Sequence, residues 1–192
     1  AVYVSSDDGA TWNHPANSGM QSNEVVYALA VKDSFLFAAT SSHGVFRSTD
    51  FGSSWQAVND GLPSGQKLSL ALGDSGIFLG TAKGVFLSTN DGMTWQARNS
   101  GMENSYVWEL ALDSNTAGGR TIFAGASGGR GVYRSTDNGI SWISVSHGWA
   151  DSSIWALAIG VDSSIFVGTE NAGVYYSSDD GTTWQQRGLS NR

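Results

Sequence analysis

The chain has 192 residues, 10 Lys and Arg against 17 Asp and Glu, a formal charge of −7 and a pI near 4.7. That balance excludes a reader of phosphate backbones, which needs a basic stripe to release counterions, so no nucleic-acid partner is expected. With no Cys there are no disulfides or thiolate metal sites, and no apolar run approaches the roughly 20 residues of a spanning helix, so no membrane insertion is expected.

The 25 Gly, 8 Trp, 8 Phe and 6 Tyr stand among abundant Ser, Thr, Asn and Asp, a composition of short strands joined by tight turns. The prediction is an all-β chain. It opens in Ala1-Val2-Tyr3-Val4, a strand pattern without initiator Met or signal peptide, which reads as a mature or trimmed product. No Asn heads an Asn-x-Ser/Thr triplet, so N-glycosylation is not expected.

Residues 5–12 then introduce the pattern Ser-x-Asp-x-Gly-x-(Ser/Thr)-Trp, which recurs at 48–55, 88–95, 135–142 and 177–184. The Trp residues Trp12, Trp55, Trp95, Trp142 and Trp184 are spaced by 43, 40, 47 and 42 residues. A period in the forties means one supersecondary unit that buries its apolar faces by stacking on its neighbours. In the second unit, 24–31 reads as strand a, 35–40 as b, 44–48 as c and 53–58 as d. The a–b turn at Asp33-Ser34 recurs as Asp74-Ser75, Asp113-Ser114 and Asp162-Ser163, and Gly-Val-Phe/Tyr opens strand c from 44, 84, 131 and 173.

Four short antiparallel strands per repeat predict the blades of a β-propeller. Residues 1–20 form an N-terminal half blade, and 21–60, 61–100, 101–147 and 148–192 form four complete blades, about five blades in a single domain over 1–192. The half blade has an unpaired edge, which proteins rarely leave open. It is closed by a thin first blade in a five-blade ring, by upstream residues, or by another protomer.

The box is a structural device. Asp7, Asp50, Asp137 and Asp179, with Asn90 in the third copy, are placed to accept backbone N–H groups two residues on. Gly9, Gly52, Gly92, Gly139 and Gly181 take the position with φ > 0, and the Trp rings supply packing at the start of strand d. These motifs resemble the Asp-box (BNR) repeats of sialidases, sortilin-type receptors, xyloglucan-degrading enzymes and photosystem-assembly factors. The resemblance covers the whole chain and implies a propeller in which the box is scaffold. Sialidase chemistry does not carry across. The Phe-Arg-Ile-Pro segment is absent, and Arg47 and Arg134 occupy repeated strand-c positions, so no independent three-arginine clamp is available.

Strand direction puts the d–a and b–c loops on one face and the a–b turns and boxes on the other. The first face is where the repeats differ. Tyr27, Leu68, Trp108 and Trp155 align there at the entry of strand a, with Trp149 in a d–a loop. The plainer reading is packing between blades near the axis; the functional one is a stacking platform for a sugar or peptide. The b–c loops add Ser42 and His43, Lys83, Ser127 to Arg130, and Glu170 with Asn171, whose polarity suits either a binding cup or a solvated rim. The candidate ligand-binding set is therefore Tyr27, Trp108, Trp149, Trp155, His43, Lys83, Arg130 and Glu170.

Eleven of the 17 acids fall in boxes or a–b turns, leaving Glu24, Asp60, Glu103, Glu109, Asp151 and Glu170. A glycosidase needs two carboxyls about 5–9 Å apart. Glu109, where other blades have Ala28, Ser69 and Ala156, is the acid placed to face a central cup, with Asp151 or Glu103 as partner. Nothing in the spacing demands that pair, and no catalytic residue is assigned. Gly73-Asp74-Ser75-Gly76 imitates a serine-protease segment but occupies a repeated turn, and residues 125–131 are a lengthened loop without a following helix. His14, His43 and His147 lack ligand spacing, so no metal or other cofactor is expected.

The leading expectation is a non-catalytic extracellular or periplasmic module that binds a glycan or peptide on the d–a/b–c face. One alternative is a structural protein that assembles into oligomers or filaments through the unpaired half blade. The other is a glycoside hydrolase fragment centred on Glu109.

Overall fold

The computed structural model describes residues 2–21, 23–102, 105–114, 121–128, 130–146 and 153–188. It contains four antiparallel sheets. The first is β1 (Val26–Lys32), β2 (Phe35–Thr40), β3 (Val45–Ser48) and β4 (Gln56–Ala57). The second is β5 (Lys67–Gly73), β6 (Gly76–Thr81), β7 (Gly84–Ser88) and β8 (Gln96–Ala97). The third is β9 (Val107–Asp113), β10 (Thr121–Ala126), β11 (Gly131–Ser135) and β12 (Ile143–Ser144), and the fourth β13 (Ile154–Ile159), β14 (Ile165–Thr169), β15 (Val174–Ser177) and β16 (Gln185–Arg187). In every sheet the strands lie side by side in chain order, the a–b–c–d arrangement that the repeats predict. Among the described residues no helix is long and apolar enough to cross a membrane.

Each core cluster straddles two blades. Phe37, Ala39, Val45 and Val58 of the first blade pack on Ile77, Leu79, Phe86 and Trp95 of the second. Phe78, Val85 and Leu87 meet Val107, Ile122 and Trp142 in the same way, and Phe123, Val132 and Val145 meet Ile154, Ile165 and Val167. The apolar faces of each blade are therefore buried by its neighbours along the chain, as stacking repeats require. The inner strands follow suit, β1 packing on β5, β5 on β9 and β9 on β13. Among the described residues no packing of that extent returns β13 to β1, so the four complete blades form an arc that does not close on itself.

The half blade is slighter than expected. Its two strands reduce to one bridge, with Val4 N donating to Asn13 O at 2.9 Å and Asn13 N to Val4 O at 2.8 Å. Val2 packs with Ala38, Phe46 and Trp55 on the first blade. A cleft of about 700 Å³ opens between the hairpin and β1–β2, lined by Tyr3, Trp12, Leu29, Val31, Phe35 and Phe51 among others.

The boxes hold their turns by a different set of bonds from the one expected. Asp50 accepts from Ser54 N at 2.8 Å and Ser54 Oγ at 2.6 Å, four residues on. The amide two residues on, Gly52 N, is taken instead by Ser48 Oγ at 2.9 Å. Two successive residues adopt left-handed backbone, Phe51 at φ 54° and Gly52 at 86°, and the other boxes repeat this at Asp8-Gly9, Asp91-Gly92, Asn138-Gly139 and Asp180-Gly181. Asn90 substitutes for Asp without loss of the pattern, its Oδ1 accepting from Thr94 N at 2.9 Å and its Nδ2 donating to Thr94 Oγ1 at 3.0 Å.

Candidate functional site: the loop face and its aromatic column

The loops sort onto two faces as the strand directions require. Ser41 N donates to Val25 O, Ser127 N to Tyr106 O and Glu170 N to Ser153 O, tying b–c loops to the residues entering strand a. On the opposite face Ser75 Oγ of one a–b turn donates to Asn138 Oδ1 of the next blade's box at 3.3 Å, and Lys32 reaches Asp91.

The aligned positions Tyr27, Leu68, Trp108 and Trp155 share a feature that no strand pattern announces. In β1, Val26 pairs with Thr40 and Ala28 with Ala39, so Tyr27 is an extra residue in the ladder. Leu68, Trp108 and Trp155 are extra in the same register, between Lys67 and Ser69, Val107 and Glu109, and Ile154 and Ala156. A β-bulge bends its strand and re-aims the extra side chain out of the pleat's alternation. Four bulges in register thus deliver four side chains to the mouth of the arc. Leu68 is buried there, Trp108 is half-buried, and Tyr27 and Trp155 stay exposed, Trp155 by 58%.

The rings form a column rather than separate platforms. Trp108 and Trp155 stack with centroids 5.6 Å apart and planes at 10°, and Tyr106 packs on Trp108 at 5.3 Å and 40°. The Tyr106 hydroxyl donates to Gln66 Oε1 on the neighbouring blade. Burial, and Tyr27 nearby, push the Tyr106 hydroxyl pKa above its usual value, which keeps it a donor. Trp108 thus packs between blades, the plainer of its two expected roles, while Trp155 offers an open indole surface. Tyr106 and Gln66 lie in non-repeating d–a loops and escaped the reading from sequence; aromatic character just before an aligned Trp was the available signal.

Glu109 follows Trp108 in β9, and burial pushes its carboxyl pKa up, a rise partly offset by the Leu110 backbone. Lys83, Arg130 and Glu170 are exposed in their b–c loops. Trp149, Glu103 and Asp151 lie outside the described residues.

A second feature on this face joins Glu24 to His43. Glu24 is buried, its side chain 1% exposed, while His43 is half-exposed. Glu24 Oε1 accepts from Ser42 N at 2.8 Å and Ser41 Oγ at 3.1 Å, and Oε2 contacts His43 Nδ1. Burial opposes the charge, but bonds from His43, Ser42, Thr40 and Ser41 outweigh it and lower the carboxyl pKa to about 2. The imidazole is thereby oriented at the edge of a 210 Å³ pocket lined also by Asn59, Leu62, Pro63 and Ser64. The turn depends on Gly44, at φ 91°, where an added Cβ would lie 2.0 Å from Asn59 Oδ1.

No protein-family model matches the chain, and no curated protein matches it. Solved structures do. An ancestral GH74 enzyme superposes on 86% of this chain with a TM-score of 0.72 at 22% identity. The extracellular domain of BT4673 from B. thetaiotaomicron covers 91% with a TM-score of 0.73 at 16% identity, and YCF48 bound to D1 peptide covers 92% with a TM-score of 0.67 at 16% identity. The chain is a β-propeller. It spans 24%, 23% and 58% of those three chains respectively, and at these identities the likeness concerns the fold.

Proposed function

We propose that this chain is a non-catalytic Asp-box propeller module, extracellular in setting, that binds a glycan or peptide on the d–a/b–c face. The observation that carries the reading is the exposed indole of Trp155, 58% open and held from behind by Trp108. A flat ring fixed in place by a second ring stacks on a sugar face or an apolar peptide side chain without first losing rotamer freedom. Tyr27 extends the apolar surface, and His43, Lys83, Arg130 and Glu170 supply polar groups from separate loops. A peptide complex of YCF48 and an extracellular domain of BT4673 on the same fold support both the ligand class and the setting.

Glycan arrays and peptide panels test the reading. Binding to a member of either class, weakened about tenfold or more (~1.4 kcal/mol) by Trp155→Ala with the fold intact, is the expected result. Affinity indifferent to Trp155 defeats it.

A second reading is a glycosidase fragment, favoured by the place of Glu109 in inner strand β9 beside the aromatic column, where burial pushes its carboxyl pKa upward in the direction a general acid needs. Polysaccharide cleavage abolished by Glu109→Gln would replace the first reading with this one.

A further inference from the structure

The three junctions between complete blades share a design, from which the hairpin's own junction with the first blade departs, Trp55 Nε1 donating to Asn17 Oδ1 and Gly52 O. The box Trp donates Nε1 to the carbonyl three residues beyond the preceding box Trp: Trp95 to Val58 O at 2.9 Å, Trp142 to Arg98 O at 2.8 Å and Trp184 to Val145 O at 2.6 Å. The box Gly sits on the Phe of the preceding strand b. A Cβ on Gly92 would lie 3.1 Å from Phe37, and one on Gly139 would lie 3.5 Å from Phe78. At two of the three junctions a cation of the preceding blade reaches the left-handed box residue, Arg47 Nη1 to Asp91 O and Arg134 Nη1 to Asp180 O, each at 3.1 Å.

Counterparts of both halves of this junction stand exposed in the structure. Phe37, Phe78 and Phe123 are at most 1% exposed, the first two beneath the following box Gly, whereas Phe166, their counterpart in β14, is 41% exposed. Trp55, Trp95 and Trp142 are at most 5% exposed, whereas Trp12 is 63% exposed. The series also fixes the acceptor that a further box would use, the carbonyl of Arg187, three residues beyond Trp184. The Arg187 guanidinium lies 5.0 Å from the Tyr176 ring, beside Phe166, which packs on that ring at 5.2 Å. Opposite charges face each other in the pairing, Asp7 and Asp8 on one side and Arg187 on the other.

We propose that the leading hairpin of one copy docks on the last blade of a second copy, reproducing between chains the junction that joins blades within a chain. Trp12 Nε1 donates to the Arg187 carbonyl, Gly9 covers Phe166, and the Asp7-Asp8 acids meet Arg187. The two surfaces differ, so the contact is heterologous: it propagates head to tail until the rotation per copy closes a ring, or runs on as a filament.

Sedimentation velocity over a wide concentration range tests this with the wild-type chain, Trp12→Ala, Phe166→Asp, and an equimolar mixture of the two variants. Circular dichroism and melting verify each fold. The wild type is expected to form species larger than a dimer, each variant alone to remain monomeric, and the mixture to form dimers and nothing larger, because it contains one intact junction. If Phe166→Asp melts early, Arg187→Glu replaces it as the receiving-side variant. A wild type that stays monomeric at the highest concentration, variants that assemble as the wild type does, or a folded mixture that stays monomeric would each overturn the proposal.

Discussion

Trp108 and Trp155 stack across two blades with centroids 5.6 Å apart and planes 10° from parallel, and each is the extra residue of a β-bulge. The bulge is what permits the contact, because a regular pleat would fix both side chains by strand alternation alone. A double-mutant cycle of Trp108→Ala and Trp155→Ala should give a coupling of about 0.5–1.5 kcal/mol in urea unfolding. Trp108→Ala alone should be the more destabilising change, since Trp108 is half-buried between partners and Trp155 is exposed. Additive losses would mean that the rings are neighbours without mutual stabilisation.

The box tryptophans divide by burial. Trp95 is 3% exposed and hydrogen-bonded to Val58 O, so Trp95→Ala should cost about 3–5 kcal/mol from lost burial and an orphaned carbonyl. Trp12, in the same motif, is exposed, and Trp12→Ala in the monomer should change stability by less than about 0.5 kcal/mol. Urea midpoints of the two variants at low protein concentration check the contrast.

The acid of the box acts as a hydrogen-bond acceptor more than as a charge. The Ser54 hydroxyl, then the Ser54 amide and the Ser48 hydroxyl, hold the Asp50 carboxyl below its usual pKa, yet Asn90 builds the same turn without charge. Asp50→Asn should therefore melt close to the wild type, and Asp50→Ala clearly lower. Equal losses in the two variants would assign the role to charge instead.

Glu24 gives a pH signature. Its folded pKa of about 2 lies below the unfolded 4.5, so its contribution to stability is full above pH 4.5 and fades as pH falls towards 2. Glu24→Gln should cost about 1–3 kcal/mol at neutral pH by weakening charge-assisted bonds, and should flatten the stability profile between those two values. Thermal melts of both proteins across that window measure it.

The fold was legible because Trp and Gly positions recur at a period that names the unit, and the short strands between them are fixed by Asp-Ser turns and Gly-Val starts. The site was legible only in part. Alignment brought Tyr27, Leu68, Trp108 and Trp155 to one level, but a bulge is a property of pairing register, and residue types alone do not reveal it. Glu24 and His43 stand 19 residues apart on a strand entry and a b–c loop, and only the hairpin closing Thr40 onto Gly44 makes them neighbours. Asp50 bonds four residues on rather than two because two consecutive left-handed residues carry the chain back over the carboxylate.

The open Trp155 indole is the surface on which the proposed ligand binding rests. A titration of the wild type and Trp155→Ala with the strongest glycan or peptide from the screens, read by isothermal calorimetry, tests it most directly. Saturable 1:1 binding by the wild type is expected, weakened about tenfold or more in the variant while the variant stays folded and melts cooperatively. Equal affinity in the two proteins, or no ligand of either class, would contradict it.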